Sequence, residues 1–412
     1  MDERRRQMIS NELWLFFAIV ALTGFAMGMS DSVISNFFKD AYNVSAVQRG
    51  FLEIPRESPG ILCFLIIAFA SSMGDVRLAI ISQILSFTGA LVLGLFTPSF
   101  AVMSLLIFIN SLGNHIYFPL QDSIGMSIIG EQDIGKRMGQ YSAIRTAFTM
   151  LASVLVFIGF KAGFFSFMTQ IKWPFLIGAA GFLGVFALYI LLNSKYKVSG
   201  ETRKKKFQII IKKEYTIYYI LAILVGVHRQ IMVVFGPWVL IEILNQQADT
   251  LALLAIISSF FGAILLTPIG RMIDRVGTKM ILLLEGLALV LVYFTYGLLS
   301  YAFTAGTLAR AGLPVLIVSG LFIFERLTMQ LGIVRTVYLK SIATDPADIT
   351  PTLSTGLSMD HVVAISCAYL GGIVWNDLGP QYVFFIAAAL SVLNVAVALM
   401  IKPAASANEA SI

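Results

Sequence analysis

Twelve apolar runs follow one another from Leu13 toward the C-terminus, separated only by short polar connections and one longer basic stretch. A hydrocarbon core about 30 Å thick is crossed by about 20 predominantly apolar residues in a helix. Measured against that length, the runs place spans near 13–37, 47–71, 78–97, 100–128, 136–164 and 174–192, then near 215–244, 250–270, 279–302, 312–342, 353–375 and 380–402. No polar stretch between them is long enough to build a soluble domain. Composition agrees: 13% of the residues are charged and 58% are hydrophobic, against about 25% charged in a soluble domain, so lipid is the solvent of most of this surface. The expected fold is an all-α polytopic membrane protein, with 12 transmembrane helices arranged as two six-helix bundles.

Several other classes are excluded at this level. Arg4, Arg5 and Arg6 precede the first run as they would in a signal peptide, but the run outlasts an h-region of about 7–15 residues and reads as the first span. The formal charge of +6 sits in short loops rather than on one continuous face, so topology explains it and nucleic acid does not. Cys63 and Cys367 lie in apolar runs and make no disulfide framework. No metal-ligand spacing, phosphate-binding glycine loop or nucleophile elbow appears, so neither metal nor cofactor is expected.

The one long polar stretch in the interior is Ser194 to Tyr215, which holds Lys195, Lys197, Arg203, Lys204, Lys205, Lys206, Lys212 and Lys213. It divides the chain into an N-terminal bundle (1–193), a basic linker (194–214) and a C-terminal bundle (215–412). The positive-inside rule puts such a segment in the cytoplasm. With both termini also inside, cytoplasmic loops collect Arg4, Arg5, Arg6, Arg77, Lys136, Arg137, Arg271, Arg275, Lys279, Lys340 and Lys402. Outer loops keep Lys39, Arg49, Lys161, Lys172 and Arg310. The expected location is the plasma (inner) membrane. Asp133-Ile134 before the fifth span is echoed by Asp348-Ile349 before the eleventh, as parallel repeats would leave it. Trp14, Trp173, Trp238 and Trp375 fall near span ends, where interfacial aromatics collect.

Between the eighth and ninth spans stands Gly270-Arg271-Met272-Ile273-Asp274-Arg275-Val276-Gly277-Thr278-Lys279. It resembles the G-x-x-x-D-R-x-G-x-[KR] signature of the major facilitator superfamily, which recurs between spans two and three. There this chain has Ser71-Ser72-Met73-Gly74-Asp75-Val76-Arg77, with serine for the leading glycine and valine for the arginine. The resemblance implies a gating role for Gly270, Asp274, Arg275, Gly277 and Lys279, and for Asp75 and Arg77 in the first copy. It also implies a cavity lined by helices one, four, seven and ten, and transport of a small molecule by alternating access. The antiporter signature of that family's fifth span is not recognisable in Ser153 to Gly163.

Charges within the spans point to the site. A charged side chain at mid-membrane costs at least about 2.5–3.5 kcal/mol. Five arginines (Arg56, Arg145, Arg229, Arg326, Arg335), four carboxylates (Glu57, Asp122, Glu325, Asp360) and three histidines (His115, His228, His361) lie there nonetheless. They must surround water or one another. Arginine holds carboxylate or phosphate with a planar fork, so Arg229 and Arg326, supported by Arg145 or Arg56, are expected to hold an anionic group of the substrate. His228, His115 and Tyr141 stand beside them. Glu57, Asp122, Glu325, Asp360 and His361 are the proton-carrier candidates. Each charge also has a plainer reading as half of an ion pair, such as Arg326 or Arg145 with Asp360. The expected function is secondary active transport of a small anionic or zwitterionic organic solute, coupled to a proton or another ion, by a monomer. The alternatives are an exporter of amphipathic compounds, a channel, and a non-transporting membrane enzyme or receptor scaffold.

Overall fold

The computed structural model describes residues 3–70, 73–129, 134–195 and 211–401, and every regular element among them is helical. In chain order these are α1 (Glu3–Asp31), α2 (Ile34–Tyr42), α3 (Ala46–Phe51), α4 (Glu53–Phe69), α5 (Asp75–Leu95), α6 (Phe100–Ile129), α7 (Ile134–Lys161) and α8 (Trp173–Lys195). After the linker come α9 (Thr216–Trp238), α10 (Ala248–Thr304), α11 (Leu313–Thr328), α12 (Ile333–Ile342), α13 (Pro346–Asp377) and α14 (Pro380–Met400). Eleven helical segments among the described residues are long and apolar enough to cross a membrane. The twelfth, α4, is shorter at 17 residues and carries Glu53, Arg56 and Glu57. The all-α polytopic architecture expected from the apolar runs is what forms, and eleven candidate spans plus the shorter α4 among the described residues are consistent with the expected twelve.

The helices depart from simple rods at definite residues. The first span is α1 followed by α2, the second is α3 followed by α4, and the tenth is α11 joined to α12 by a 3-10 turn at Met329–Gly332. The seventh span, α9, closes in a π turn at Val239–Ile243. α10 contains the eighth and ninth spans, broken at Gly277 with φ 80° and ψ 163°. Glycine alone adopts that conformation without strain.

The chain forms two compact units. The first comprises residues 1–43, 54–205 and 247–256, and the second 44–53, 206–246 and 257–412. In the first, α5 packs on α6 and α8, while α1 packs on α7 and α8. Its core includes Phe16, Ile116, Tyr117, Ile124, Val185 and Tyr189. Tyr189 donates its hydroxyl hydrogen to Tyr117 Oη at 3.1 Å, and Thr23 lies 3.2 Å from the same oxygen. Small residues set the spacing: a Cβ on Gly113 would stand 2.4 Å from Ser86 Oγ, and one on Gly24 2.6 Å from the Arg145 carbonyl oxygen.

In the second unit, α13 packs on α3 and α9, and α14 packs on α9. The core includes Tyr215, Leu221, Ile281, Leu282, Val334 and Leu339. α3 begins with a capping box, in which Gln48 N–H bonds to Ser45 Oγ and Ser45 N–H to Gln48 Oε1. It meets α13 backbone to backbone, for a Cβ on Gly50 would fall 2.1 Å from the Ala368 carbonyl oxygen and one on Gly372 2.6 Å from that of Ala46.

Burial adds to two sequence expectations. Arg49, which lies in α3, and Lys172, which lies in the connection between α7 and α8, are both fully buried. Arg49 donates to Glu53 one turn along the helix, at 2.5 Å. Lys172 donates to Thr97 Oγ1 and to the Gln170 carbonyl oxygen, and burial pushes its ammonium below the usual range. Of the four tryptophans, Trp14 and Trp173 are exposed, whereas Trp238 and Trp375 are core residues. The ring of Trp375 stacks on Phe235 at 5.6 Å.

The C-terminal end of the linker is tied down. Asp348 accepts hydrogen bonds from Lys212, from Tyr215 Oη at 2.7 Å and from Thr344 Oγ1 at 3.4 Å. Its echo in the first half, Asp133, lies outside the described residues. The hydrogen bond from Lys212, then that from Tyr215, hold the Asp348 carboxyl below its ordinary value, and the same bond raises Lys212. A depressed carboxyl contributes above its unfolded value and loses that contribution as pH falls through the folded one. A raised ammonium fails only as pH climbs above the usual lysine range. The tie therefore holds through neutrality and opens in acid. Hydrogen exchange, corrected for intrinsic rate, is expected to show protected amides around Tyr215 at neutral pH that lose protection on acidification. In Asp348→Asn that protection is expected to be weak at both pH values.

Candidate functional site

α9 brings most of the chemistry in the second unit. Arg229 pairs with Asp360 of α13. Gly226, one turn before Arg229, makes room for this, since a Cβ there would lie 2.4 Å from Asp360 Oδ1. The Arg229 side chain is 43% exposed and that of Asp360 is 15% exposed, so the arginine is paired yet only partly buried. Asp360 thus meets Arg229, a partner that the plainer sequence reading did not name for it. His361, beside Asp360, is half-buried.

His228 has the opposite environment. It is fully buried, with Nε2 2.7 Å from Ser391 Oγ and 3.2 Å from the Ala387 carbonyl oxygen of α14. Its ring stacks on Tyr293 with centroids 5.4 Å apart, and Tyr293 Oη donates to the His228 carbonyl oxygen at 2.8 Å. This is the setting of a ring that fixes a helix, and it leaves the adjacent Arg229 firmly placed. Tyr293 Oη also lies 3.4 Å from Glu325 Oε1 on α11. Glu325 is buried, and its Oε2 meets no hydrogen-bond partner among the described residues. Arg326 turns elsewhere, with its guanidinium 5.2 Å from the Phe322 ring centroid, as a rotation of about 100° per residue requires.

Two charge clusters in this unit are sealed. Glu53 accepts from Arg49 and, through Oε2, from Gln230 Nε2 of α9 at 3.0 Å. Glu285 accepts from Arg335 Nη1 on both oxygens, at 3.0 and 2.7 Å, with the Glu285 side chain fully buried and that of Arg335 10% exposed. Sequence reasoning did not single out Glu53, Glu285, Gln230 or Tyr293. A carboxylate inside the apolar run Ile281-Leu282-Leu283-Leu284-Glu285 was the available signal for one of them.

In the first unit, α4, α6 and α7 carry the candidates. Ser111 of α6 donates to the Arg56 carbonyl oxygen at 2.5 Å and lies 3.1 Å from His115 Nδ1, itself 2.9 Å from the Ser111 carbonyl oxygen. A carboxylate oxygen of Glu57 and a ring nitrogen of His115 come within 4.8 Å. Asp122, two turns beyond His115, accepts from Tyr141 Oη of α7 at 2.6 Å. Arg145 is half-buried one turn further along α7.

The loop motif has a clear backbone logic. Gly277 supplies the positive-φ turn, Lys279 Nζ donates to the Leu399 carbonyl oxygen at 2.8 Å, and Arg275 is exposed. The placement of Gly270 and of the Asp274 side chain lies outside the described features. In the first half the matching turn is at Gly74, with φ 79° and ψ 150°, directly ahead of α5. Matched on that glycine, Asp75 stands opposite Thr278 rather than Asp274. It accepts from Ser123 Oγ at 2.6 Å, and Arg77 is exposed.

Residues 58–339 match the family model described as Major Facilitator Superfamily. The chain belongs to the major facilitator superfamily. Solved structures of the same fold include the nucleoside transporter NupG, with TM-score 0.75 at 14% identity over 95% of this chain and 100% of that one. A POT family transporter in complex with 5-aminolevulinic acid gives 0.73 at 11% identity over 94% of each chain. A bacterial homologue of the iron transporter ferroportin gives 0.69 at 14% identity over 97% and 99%. No curated protein matches the sequence. As a member of this superfamily the chain is a multi-pass membrane transporter and not an enzyme.

The sealed Glu285–Arg335 pair tests how charges are held in this superfamily member. Glu285→Leu strands the Arg335 charge and is expected to cost about 3–5 kcal/mol, seen as a lower thermal midpoint in detergent. Adding Arg335→Met is expected to recover most of that loss.

Proposed function

We propose that this superfamily member carries a small anionic or zwitterionic organic solute by alternating access coupled to a proton, with Arg229 and Asp360 as the exchange pair. The observation that carries the reading is the half-open geometry of that pair. A guanidinium with one face on a carboxylate and another toward open space can trade one anion for another. With Asp360 ionised, the arginine is occupied. A proton on Asp360 releases the fork to the substrate's anionic group, and loss of that proton returns the fork to Asp360. One proton then accompanies each anion, and substrate and proton are linked through a single side chain.

The neighbouring residues fall into supporting roles. His228 positions Arg229 from behind. Arg326 is a second cationic contact, and Glu325 and His361 are further proton-holding groups. In the first unit, Arg56 and Arg145, with His115 and Tyr141, keep an anion-binding role, and Glu57 and Asp122 a proton-carrying one. Support from similar proteins is chemical. One structural neighbour is described as binding 5-aminolevulinic acid, which carries both an amine and a carboxylate. The charge distribution supports both termini being cytoplasmic and residues 194–214 being the cytoplasmic linker between halves 1–193 and 215–412; a plasma-membrane location and action as a monomer complete the proposal.

Uptake into proteoliposomes, driven by an imposed pH or sodium gradient and screened with organic anions and zwitterions, tests this. Arg229→Ala and Arg229→Lys are each expected to lower uptake of the accepted solute by about 10–100-fold, the worth of a charge-assisted bidentate contact of about 1.5–3 kcal/mol. Asp360→Asn is expected to keep solute binding and to flatten the dependence of uptake on the pH gradient. Unchanged uptake in Arg229→Ala removes that residue from the site. Broad inhibition by unrelated hydrophobic cations favours amphipathic export instead.

A further inference from the structure

The first unit also holds a cavity lined by none of the residues assigned to transport above. At the end of α7 the chain turns at Gly163, with φ 75°, and runs to α8 as a loop. The loop is braced at both ends. Phe165 N–H bonds to the Gly159 carbonyl oxygen at 3.0 Å, and Lys172 N–H bonds to that of Gly94 at 2.8 Å while its buried ammonium holds Thr97 and Gln170. Gly159 lets the Phe165 ring lie against the helix, since a Cβ there would stand 2.2 Å from Phe165 Cδ2.

The loop borders an open cavity of about 630 Å³ together with Asp40 of α2 and Asp249 at the start of α10, whose residues 247–256 belong to this unit. That volume is within the range of small-molecule sites, about 300–1,000 Å³. One wall is aromatic: Phe160, Phe165 and Phe167 all line it, with Phe160 5.8 Å from Phe165 and 5.1 Å from Phe167. Phe167 is backed by Phe37 at 5.6 Å and Phe175 at 6.2 Å, so the wall is formed before any ligand arrives. The charged lining is Asp40, Asp249 and Lys161, two carboxylates against one ammonium.

We infer that this cavity binds a small amphipathic cation, a quaternary or primary ammonium carried on an aromatic or alkyl body. Aromatic faces attract ammonium groups and the apolar body alike. Asp40 and Asp249 supply the countercharge, and Lys161 at the same rim repels a second cation. The site uses neither Arg229 nor Asp360, so it stands or falls apart from the anion-exchange reading.

The test is calorimetric titration of the full-length protein in nanodiscs with benzyltrimethylammonium, tetramethylammonium and benzoate. The expected result is saturable binding of one equivalent of benzyltrimethylammonium, with tetramethylammonium at least tenfold weaker and benzoate weaker still. Asp249→Asn, which keeps the side-chain shape, and Phe165→Leu are each expected to weaken binding at least fivefold, while Arg229→Ala leaves it unchanged. Absence of saturable binding overturns the inference. So does binding that neither Asp249→Asn nor Phe165→Leu alters. Preferred binding of benzoate that is lost in Lys161→Gln overturns it in favour of an anion site.

Discussion

An ion inside hydrocarbon must bring its own solvent, and this requirement organises the second unit. The structure meets it in two different ways. Glu53 is wrapped by Arg49 and Gln230, and Glu285 by Arg335, each at full or nearly full burial. Arg229 and Asp360 form a pair of the same chemistry but leave the arginine side chain 43% exposed. Sealed pairs act as braces, because removing either partner strands a charge. An open pair is not locked in that way, and the helix that holds it is fixed from its other face by His228, Ser391 and Tyr293. Rigidity behind and access in front are what a binding group needs.

The same division separates what could be read in the sequence from what could not. Span number, approximate boundaries and the need for a sharp turn at Gly277 follow from local pattern, because each depends on residues near one another in the chain. The charged clusters depend on distant partners. Arg49 reads as a loop charge until Glu53 and Gln230 are seen around it, and Gln230 lies 177 positions from Glu53. Lys172 is likewise claimed by Thr97, 75 positions away. Trp238 and Trp375 fall near span ends as interfacial residues do, yet both are buried, Trp375 against Phe235 of α9 and Phe384 of α14. Position along a span does not reveal which way a side chain faces.

The two halves repeat each other in backbone more than in sequence. Gly74 and Gly277 share one unusual conformation, at φ 79° and 80° with ψ 150° and 163°. Only glycine satisfies that geometry cheaply, so the turn persists where the charges around it have drifted. Matching the halves by their aspartates joins Asp75 to Asp274, whereas the shared turn places Asp75 inside the following helix. There it receives Ser123 and sits in the first turn, where a carboxylate is favoured by the helix dipole. Asp75 therefore has a local reason to be where it is, apart from any inherited motif.

Energetics favour the open pair as the working element. A transport cycle must break and remake its key contact at every turnover. Breaking a fully buried ion pair by losing one partner costs about 3–5 kcal/mol, and an exposed pair is worth about 0–1 kcal/mol. Arg49–Glu53 and Arg335–Glu285 sit at the costly end, so using them as switches would slow each cycle and risk the fold. Arg229–Asp360 lies between these limits. In the proposed cycle it would hold the guanidinium in place while no substrate is bound and yield to a second anion once a proton neutralises Asp360. The partial exposure of one arginine is thus the feature that the proposed exchange relies on and that the sealed pairs lack.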